Sequence, residues 1–351
     1  MDSPAVVDGH NDAALAVRRG EATVDDLVDG RDAGHLDLPR ARDGGLAAGI
    51  FAVFVPSEEQ FAPDADGNRV ETDDGYRIRS PPPLAPSFAA NAADEMLAVL
   101  DDLVARPGVR RVETAADLRA CIEGNDFGVV VHFEGAEPIH PDRSNFADYY
   151  ERGLRSLGLA WSRPTAFADG VPFQFPSSPG VGGGLTERGR RLVERCNDDG
   201  VLVDCAHLTE QGFWDVHDAS TAPLVVSHAA ANAVCPSSRN LTDEQLDAVD
   251  DTDGVVGLTF AASALRPDGA NDADTSLDVV VDHVDHLVDR MGVEHVALGS
   301  DFDGATIPDS IGDAAGTRDV LAALRDAGYE NSALRKLAHE NWLRVCEATW
   351  D

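Results

Sequence analysis

Short runs of valine, leucine and alanine alternate along the chain with longer segments whose apolar positions recur at helical spacing. The runs are Val6–Asp12, Leu46–Val55, Phe127–Glu134, Gly153–Trp161, Val201–His207, Pro223–His228, Val255–Phe260 and His295–Asp301. Most are continuously apolar rather than alternating, as strands covered on both faces should be. Helical patterns lie between most of them, at Ala90–Ala105, Leu185–Asp199, Asp243–Val249, Ser276–Met291 and Thr317–Ala327. A last amphipathic segment, Ser332–Thr349, reads as a closing helix. Strand–helix alternation repeated eight times predicts an α/β fold of the (β/α)₈ TIM-barrel type rather than a doubly wound sheet. The 351 residues suit one such barrel, which usually needs ~250 residues plus insertions, so residues 1–351 read as a single domain.

One stretch breaks the rhythm. Ser57–Pro86 is rich in Pro, Asp, Gly and Glu and has no apolar period. It follows the second strand, which in a barrel places it on the C-terminal face, where active sites lie. It is expected to be an acidic loop insertion near the entrance, with no chemistry of its own. The glycines of Gly180–Gly184 are not followed by Lys-Ser/Thr, so this flexible connection is no phosphate loop.

Charge narrows the class further. Asp and Glu number 63 against 28 Lys plus Arg, the formal net charge is −35, and Lys336 is the sole lysine. Such a charge repels itself in dilute buffer, whereas in molar salt the Debye length falls to ~3 Å and the repulsion is largely screened. The pattern fits a halophilic protein. It excludes a nucleic-acid partner, because phosphate binding needs a basic face. At 43% hydrophobic residues the chain can still bury a large core. Five cysteines without a Cys-x-x-Cys pair argue against a disulfide framework and a zinc ribbon. No apolar stretch approaches the ~18 residues of a membrane span, and Met1–Ala5 leads straight into a strand-like run without the pattern of a signal peptide. A soluble, cytoplasmic protein is expected.

The informative chemistry is where histidines and acids fall. His10 and Asp12 close the first strand, Glu134 the third, His207 the fifth, His228 the sixth and Asp301 the eighth. These side chains bind zinc through nitrogen and oxygen, and strand ends on one barrel face converge on a single pocket. A lone histidine at a strand end is more often a hydrogen-bonded core residue. Six such residues over five strand ends would bury several ionisable groups at a cost unless they share a partner. In His10-x-Asp12, residues i and i+2 of a strand point to the same side, so both can face one metal. Many barrel hydrolases bridge two metals with a carboxylated lysine, but Lys336 lies in the closing helix. The bridge must then be a carboxylate, and Glu134 is the candidate.

Val7-Asp8-Gly9-His10-Asn11-Asp12, Phe133-Glu134-Gly135-Ala136, Asp204-Cys205-Ala206-His207, Ser227-His228 and Asp301-Phe302-Asp303-Gly304 resemble the motifs of the membrane (renal-type) dipeptidases, peptidase family M19. The likeness is collinear to the closing helix, where Asn341-Trp342-Leu343-Arg344-Val345 is also similar. It implies two zinc ions per chain, one held by His10, Asp12 and Glu134 and the other by Glu134, His207 and His228, bridged by Glu134 and a hydroxide. It also implies that Arg239 grips the substrate's terminal carboxylate, that Asp301 serves proton transfer and amine binding, and that Asp303 supports its loop. A dipeptide substrate, acceptance of a C-terminal D-residue and a homodimer follow from the same resemblance. The chain departs from the pattern at Trp161, where mammalian members carry a histidine near the substrate carbonyl. Trp161 then shapes the substrate pocket, and Arg163 is a candidate source of charge. His132, two residues before Glu134, reads as structural or as a support behind the ligands. Rival readings are a metal-dependent amidase for N-acyl amino acids or cyclic amides on the same scaffold, a catalytically inactive barrel kept as a binding subunit, and a site for manganese or iron in place of zinc.

Overall fold

The computed structural model describes residues 3–57 and 67–350. Its main sheet runs through Val6–Asn11, Leu46–Phe54, Phe127–Glu134, Leu154–Gly158, Leu202–Asp204, Val225–Ala229, Val255–Leu258 and Val296–Leu298, each parallel to the next in chain order. These are the eight expected strands. The parallel bridge between Asn11 and Phe302 closes the ring. Asp301 N donates to the His10 carbonyl at 3.0 Å, and Asp12 N to that of Phe302 at 2.8 Å. A ninth strand, Val109–Arg111, pairs with the third strand off the barrel path.

Helices fill the crossovers where the 3.6-residue period placed them: Pro86–Val104, Glu187–Asp199, Asp243–Asp251, Leu277–Met291 and Thr317–Asp326. Their starts are set locally. Thr242 accepts from Gln245 N while the Gln245 side chain accepts from Thr242 N, satisfying two backbone donors that no helical turn can reach. The closing segment is one continuous helix, as expected, widened by a single π turn. Asn331–Arg335 passes through a wide turn at Lys336–Glu340 into Asn341–Trp350. There Asn341 Nδ2 donates to the carbonyls of Val293 and Val296, both at 2.7 Å, and Trp342 Nε1 to Leu298 O at 3.0 Å. A methyl group on Gly9 would lie 2.3 Å from the Trp342 ring, so the first strand needs glycine there for the indole to pack against it.

Part of the acidic insertion forms strands, where a plain loop was expected; residues 58–66 lie outside the described residues. Arg69–Glu71 and Tyr76–Ile78 form a hairpin that adds Gln174–Phe175, from the loop after the fourth strand, as a third antiparallel strand. Strands of three residues with one buried side chain between them carry no period to read. The sheet is held by Tyr76 stacked on Phe175 at 6.2 Å. No helix among the described residues is long and apolar enough to cross a membrane.

Candidate metal centre

Five of the barrel strands deliver donor residues at their C-terminal ends, by two routes. His10, Glu134 and His228 lie within their strands and Asp12 follows the first. His207 and Asp301 do not end strands, as the apolar runs suggested. The fifth strand stops at Asp204 and the eighth at Leu298, and both residues sit three positions on, in left-handed turns with φ of 63° and 64°. Non-glycine residues there crowd Cβ against the backbone, a cost of about 1–3 kcal/mol each that the surrounding fold must offset. The turns bring both side chains back to the other ligands.

Three groups of donors have mutually adjacent ligand atoms, all within 4.8 Å: His10, Asp12 and Glu134; Glu134, His207 and His228; and His10, His228 and Asp301. Glu134 divides its oxygens between the first two. Its Oε2 lies 3.5 Å from His10 Nε2, which is 3.4 Å from Asp12 Oδ2. Its Oε1 lies 3.0 Å from His207 Nε2 and 3.7 Å from His228 Nε2. Arg239 and Trp161 border the same cluster. The Arg239 guanidinium donates to the His228 carbonyl at 3.2 Å and has no carboxylate partner among the described residues. The Trp161 ring stands 5.6 Å from that of His207.

The donors behave as a site built for cations. His10 Nδ1 and Nε2 and Asp12 Oδ1 are buried without a hydrogen-bond partner, which is costly unless something else meets them. Burial holds His207 and His228 well below the ordinary imidazole pKa, helped by Arg239 and His10, so both are neutral with a lone pair to give. The hydrogen-bond network assigns which nitrogen. Ser227 donates its hydroxyl to Asp204 Oδ2 at 2.5 Å and therefore accepts from His228 Nδ1 at 2.8 Å, leaving His228 Nε2 as the lone pair. Ser162 Oγ lies 2.9 Å from His207 Nδ1 in the corresponding position. The two Nε2 atoms then face each other at 3.0 Å. Around them, burial raises Glu134 to about 7 and Asp301 to about 6, with His10 opposing both shifts. Burial alone would lower the His10 pKa, but Glu134 and Asp12 raise it well above the usual value. Burial lowers Arg239 to about 10, against the pull of Asp301 and Glu134, so it stays charged at neutral pH.

Arg163 does not aim its charge at the cluster; its Nε donates to Glu137. His132 does more than fill space: its ring meets that of His10 edge-on at 5.6 Å, and Nδ1 is 2.9 Å from Ser156 Oγ. Asp303 accepts from His35 N at 2.7 Å and from Arg31, which secures the loop that presents Asp301. The orienting residues Ser162, Asp204 and Ser227 carry no signal of their own in the sequence; Asp204 and Ser227 stand inside the family motifs, at spacings without meaning until the strands are side by side.

Two expected results follow. Ser227→Ala removes the acceptor that fixes the His228 ring, and metal affinity is expected to fall about 10–100-fold, measured by competition with a chelator. Gly304 is packed so that a methyl group would lie 2.2 Å from Asp12 Oδ2 and 2.5 Å from Asp301 Oδ1. Gly304→Ala should therefore push both carboxylates out of register and lower kcat by about 10–100-fold, as displacements near 1 Å do; an unchanged kcat would show that these carboxylates need not be so close.

A sequence model of the membrane dipeptidase family (peptidase family M19) matches residues 1–350. The chain is 42% identical over 258 residues to an uncharacterised protein in the pqqA 5′ region of Klebsiella pneumoniae, covering 73% of this chain and 95% of that protein. It superposes with a TM-score of 0.95 on a metallo peptidase from Rhodobacter sphaeroides liganded with a phosphinate mimic of the dipeptide L-Ala-D-Ala, at 45% identity and covering 99% and 100% of the two chains. A second solved structure, the M19 metallo peptidase dipeptidase AC, gives a TM-score of 0.92 at 44% identity, covering 99% of each chain. With ligands for metal converging on one barrel face, the chain belongs to the membrane dipeptidase family, peptidase family M19, and is a metallo-dipeptidase.

Proposed function

We propose that the enzyme hydrolyses the peptide bond of dipeptides at a centre of two zinc ions, one held by His10, Asp12 and Glu134 and the other by Glu134, His207 and His228. The observation that carries this reading is Glu134, whose Oε2 serves one donor set and whose Oε1 serves the other. When bound, the two ions supply a water activated near neutral pH and a Lewis acid for the scissile carbonyl. The chain's own residues do the rest. Arg239, charged and without a carboxylate partner, donates to the C-terminal carboxylate of the substrate, and its planar fork suits two oxygens. This grip explains dipeptides rather than longer chains. Asp301, raised by burial to about 6, takes a proton during attack and returns it to the leaving amine. Trp161 closes the pocket beside His207. A C-terminal D-residue is accepted, in keeping with the L-Ala-D-Ala mimic on the Rhodobacter sphaeroides relative.

The test is metal content of protein purified in high salt, paired with turnover of L,L and L,D dipeptides and of N-acyl amino acids. Two zinc ions per chain with dipeptide turnover is the expected result. Turnover of N-acyl amino acids alone would move the reading to an amidase, and metal other than zinc would change the cofactor. Failure on L,D substrates would remove the stereochemical part only.

A further inference from the structure

The loop after the fourth strand carries an arginine that the proposed reaction does not use. Arg163 is 0% exposed, so its charge has been taken out of water at a cost that its contacts must offset. Nε donates to Glu137 Oε1 at 2.5 Å, Nη1 to Ser57 Oγ at 2.9 Å, and Nη2 to the Val55 carbonyl. Val55 and Ser57 follow the second strand, and Glu137 follows the third. One side chain thus ties together the tops of three consecutive strands.

The same guanidinium faces two rings. Its carbon lies 5.3 Å from the Trp161 ring centroid and 5.5 Å from that of Phe54, within the range of cation–π attraction. Those two rings are 5.0 Å apart, Phe173 stands 5.5 Å from Trp161, and both Trp161 and Phe173 stand about 6 Å from His207. Three aromatic side chains, one from the end of the second strand and two from the loop after the fourth, therefore form one surface beside a candidate metal ligand. Phe54 and Phe173 are only half-buried, which leaves apolar area there for another group to cover.

We propose that Arg163 is a positioning residue, which holds Phe54 and Trp161 with Phe173 as a single apolar wall of the substrate cleft, and that this wall selects dipeptides carrying a bulky apolar side chain. The inference rests on the dipeptidase reading. A planar fork that hydrogen-bonds at its edge while presenting its face to aromatic rings is something lysine cannot reproduce. Apolar substrate atoms that the wall removes from water raise kcat/KM, by about tenfold or more for each methylene-sized group that fits well.

The experiment measures kcat and KM of the metal-loaded enzyme on dipeptides in which one residue is varied from glycine to leucine to phenylalanine, at each position in turn. In the parent, kcat/KM is expected to climb at least about tenfold along the series at one of the two positions, chiefly through KM. Arg163→Lys should erase most of that climb, with a much smaller change in kcat on the glycine-containing member. Glu137→Gln, which keeps the shape but removes the charge partner, should erase part of it. If Arg163→Lys does not fold, Phe173→Ala carries the test and must lose the same climb. A parent without the climb overturns the proposal. So does an Arg163→Lys enzyme that keeps the climb, or one that loses kcat equally on all members with KM unchanged, which marks a purely structural anchor. A metal-loaded parent that turns over no dipeptide at all overturns the dipeptidase reading instead.

Discussion

Glu134→Ala is expected to abolish the binding of two metal ions together and to lower kcat/KM by roughly 10³ or more, since removing even one group that stabilises a transition state electrostatically costs about 10²–10³. The reason lies in how the donors are divided. Without Glu134, the two sets that share it fall to two donors each, His10 with Asp12 and His207 with His228, where catalytic zinc sites use three; the remaining trio of His10, His228 and Asp301 has donors for one ion only. Glu134→Asp should fare little better, because the shortened side chain cannot set one oxygen against His10 and the other against His207. Metal analysis after dialysis measures the first effect, and dipeptide turnover the second. A variant that keeps two ions and its activity would remove Glu134 from the bridge.

The same substitution separates metal binding from folding. In the metal-free protein Glu134 is a buried carboxyl, pushed up to about 7 by burial with Asp12 beside it. Such a group does not stabilise the fold without its cations. Metal-free Glu134→Ala is therefore expected to melt no lower than the metal-free parent, while addition of zinc raises the melting temperature of the parent more than that of the variant. A lower melting temperature for the metal-free variant would assign Glu134 a packing role instead.

The residues show why some of this was legible in the sequence and some was not. Strands covered on both faces are continuously apolar, so all eight could be located, and the run Phe127–Glu134 matches the observed strand at both ends. The ends of the fifth and eighth strands could not be read. Cys205-Ala206 and Gly299-Ser300 suit a strand as well as a turn, and the break comes from a change in the sign of φ at His207 and Asp301. The histidines and carboxylates were legible because few other arrangements justify burying them. Their supports were not: Asp204 and Ser227 are 23 residues apart and meet only when the fifth and sixth strands lie side by side. Arg163 is the instructive failure. Near a proposed substrate site a spare cation invites an electrostatic role, but Glu137, 26 residues earlier, already takes it.

Arg239 presents the opposite case, and replacing it should have the second largest effect. Its side chain is partly buried and charged, and among the described residues the carbonyl of His228 is the one acceptor it meets. A cation in that state is costly to keep, and the cost is offset once a substrate carboxylate arrives. Truncating one partner of such a desolvated pair costs about 2–5 kcal/mol, so Arg239→Met should lower kcat/KM for dipeptides by roughly 30-fold to several thousand-fold, most of it through KM. The control is a dipeptide whose C-terminus is an amide. The parent should lose on that substrate about what the variant loses on the free acid, and the variant should lose little more, because the interaction is already gone. Arg239→Lys should recover only part of the loss, since a point charge does not match two oxygens as a fork does. The hydrogen bond to His228 O makes metal content the necessary companion measurement. Full metal occupancy with raised KM assigns Arg239 to the substrate, whereas lost metal would make it a support for His228. Equal losses on the acid and the amide would end its role as the carboxylate grip.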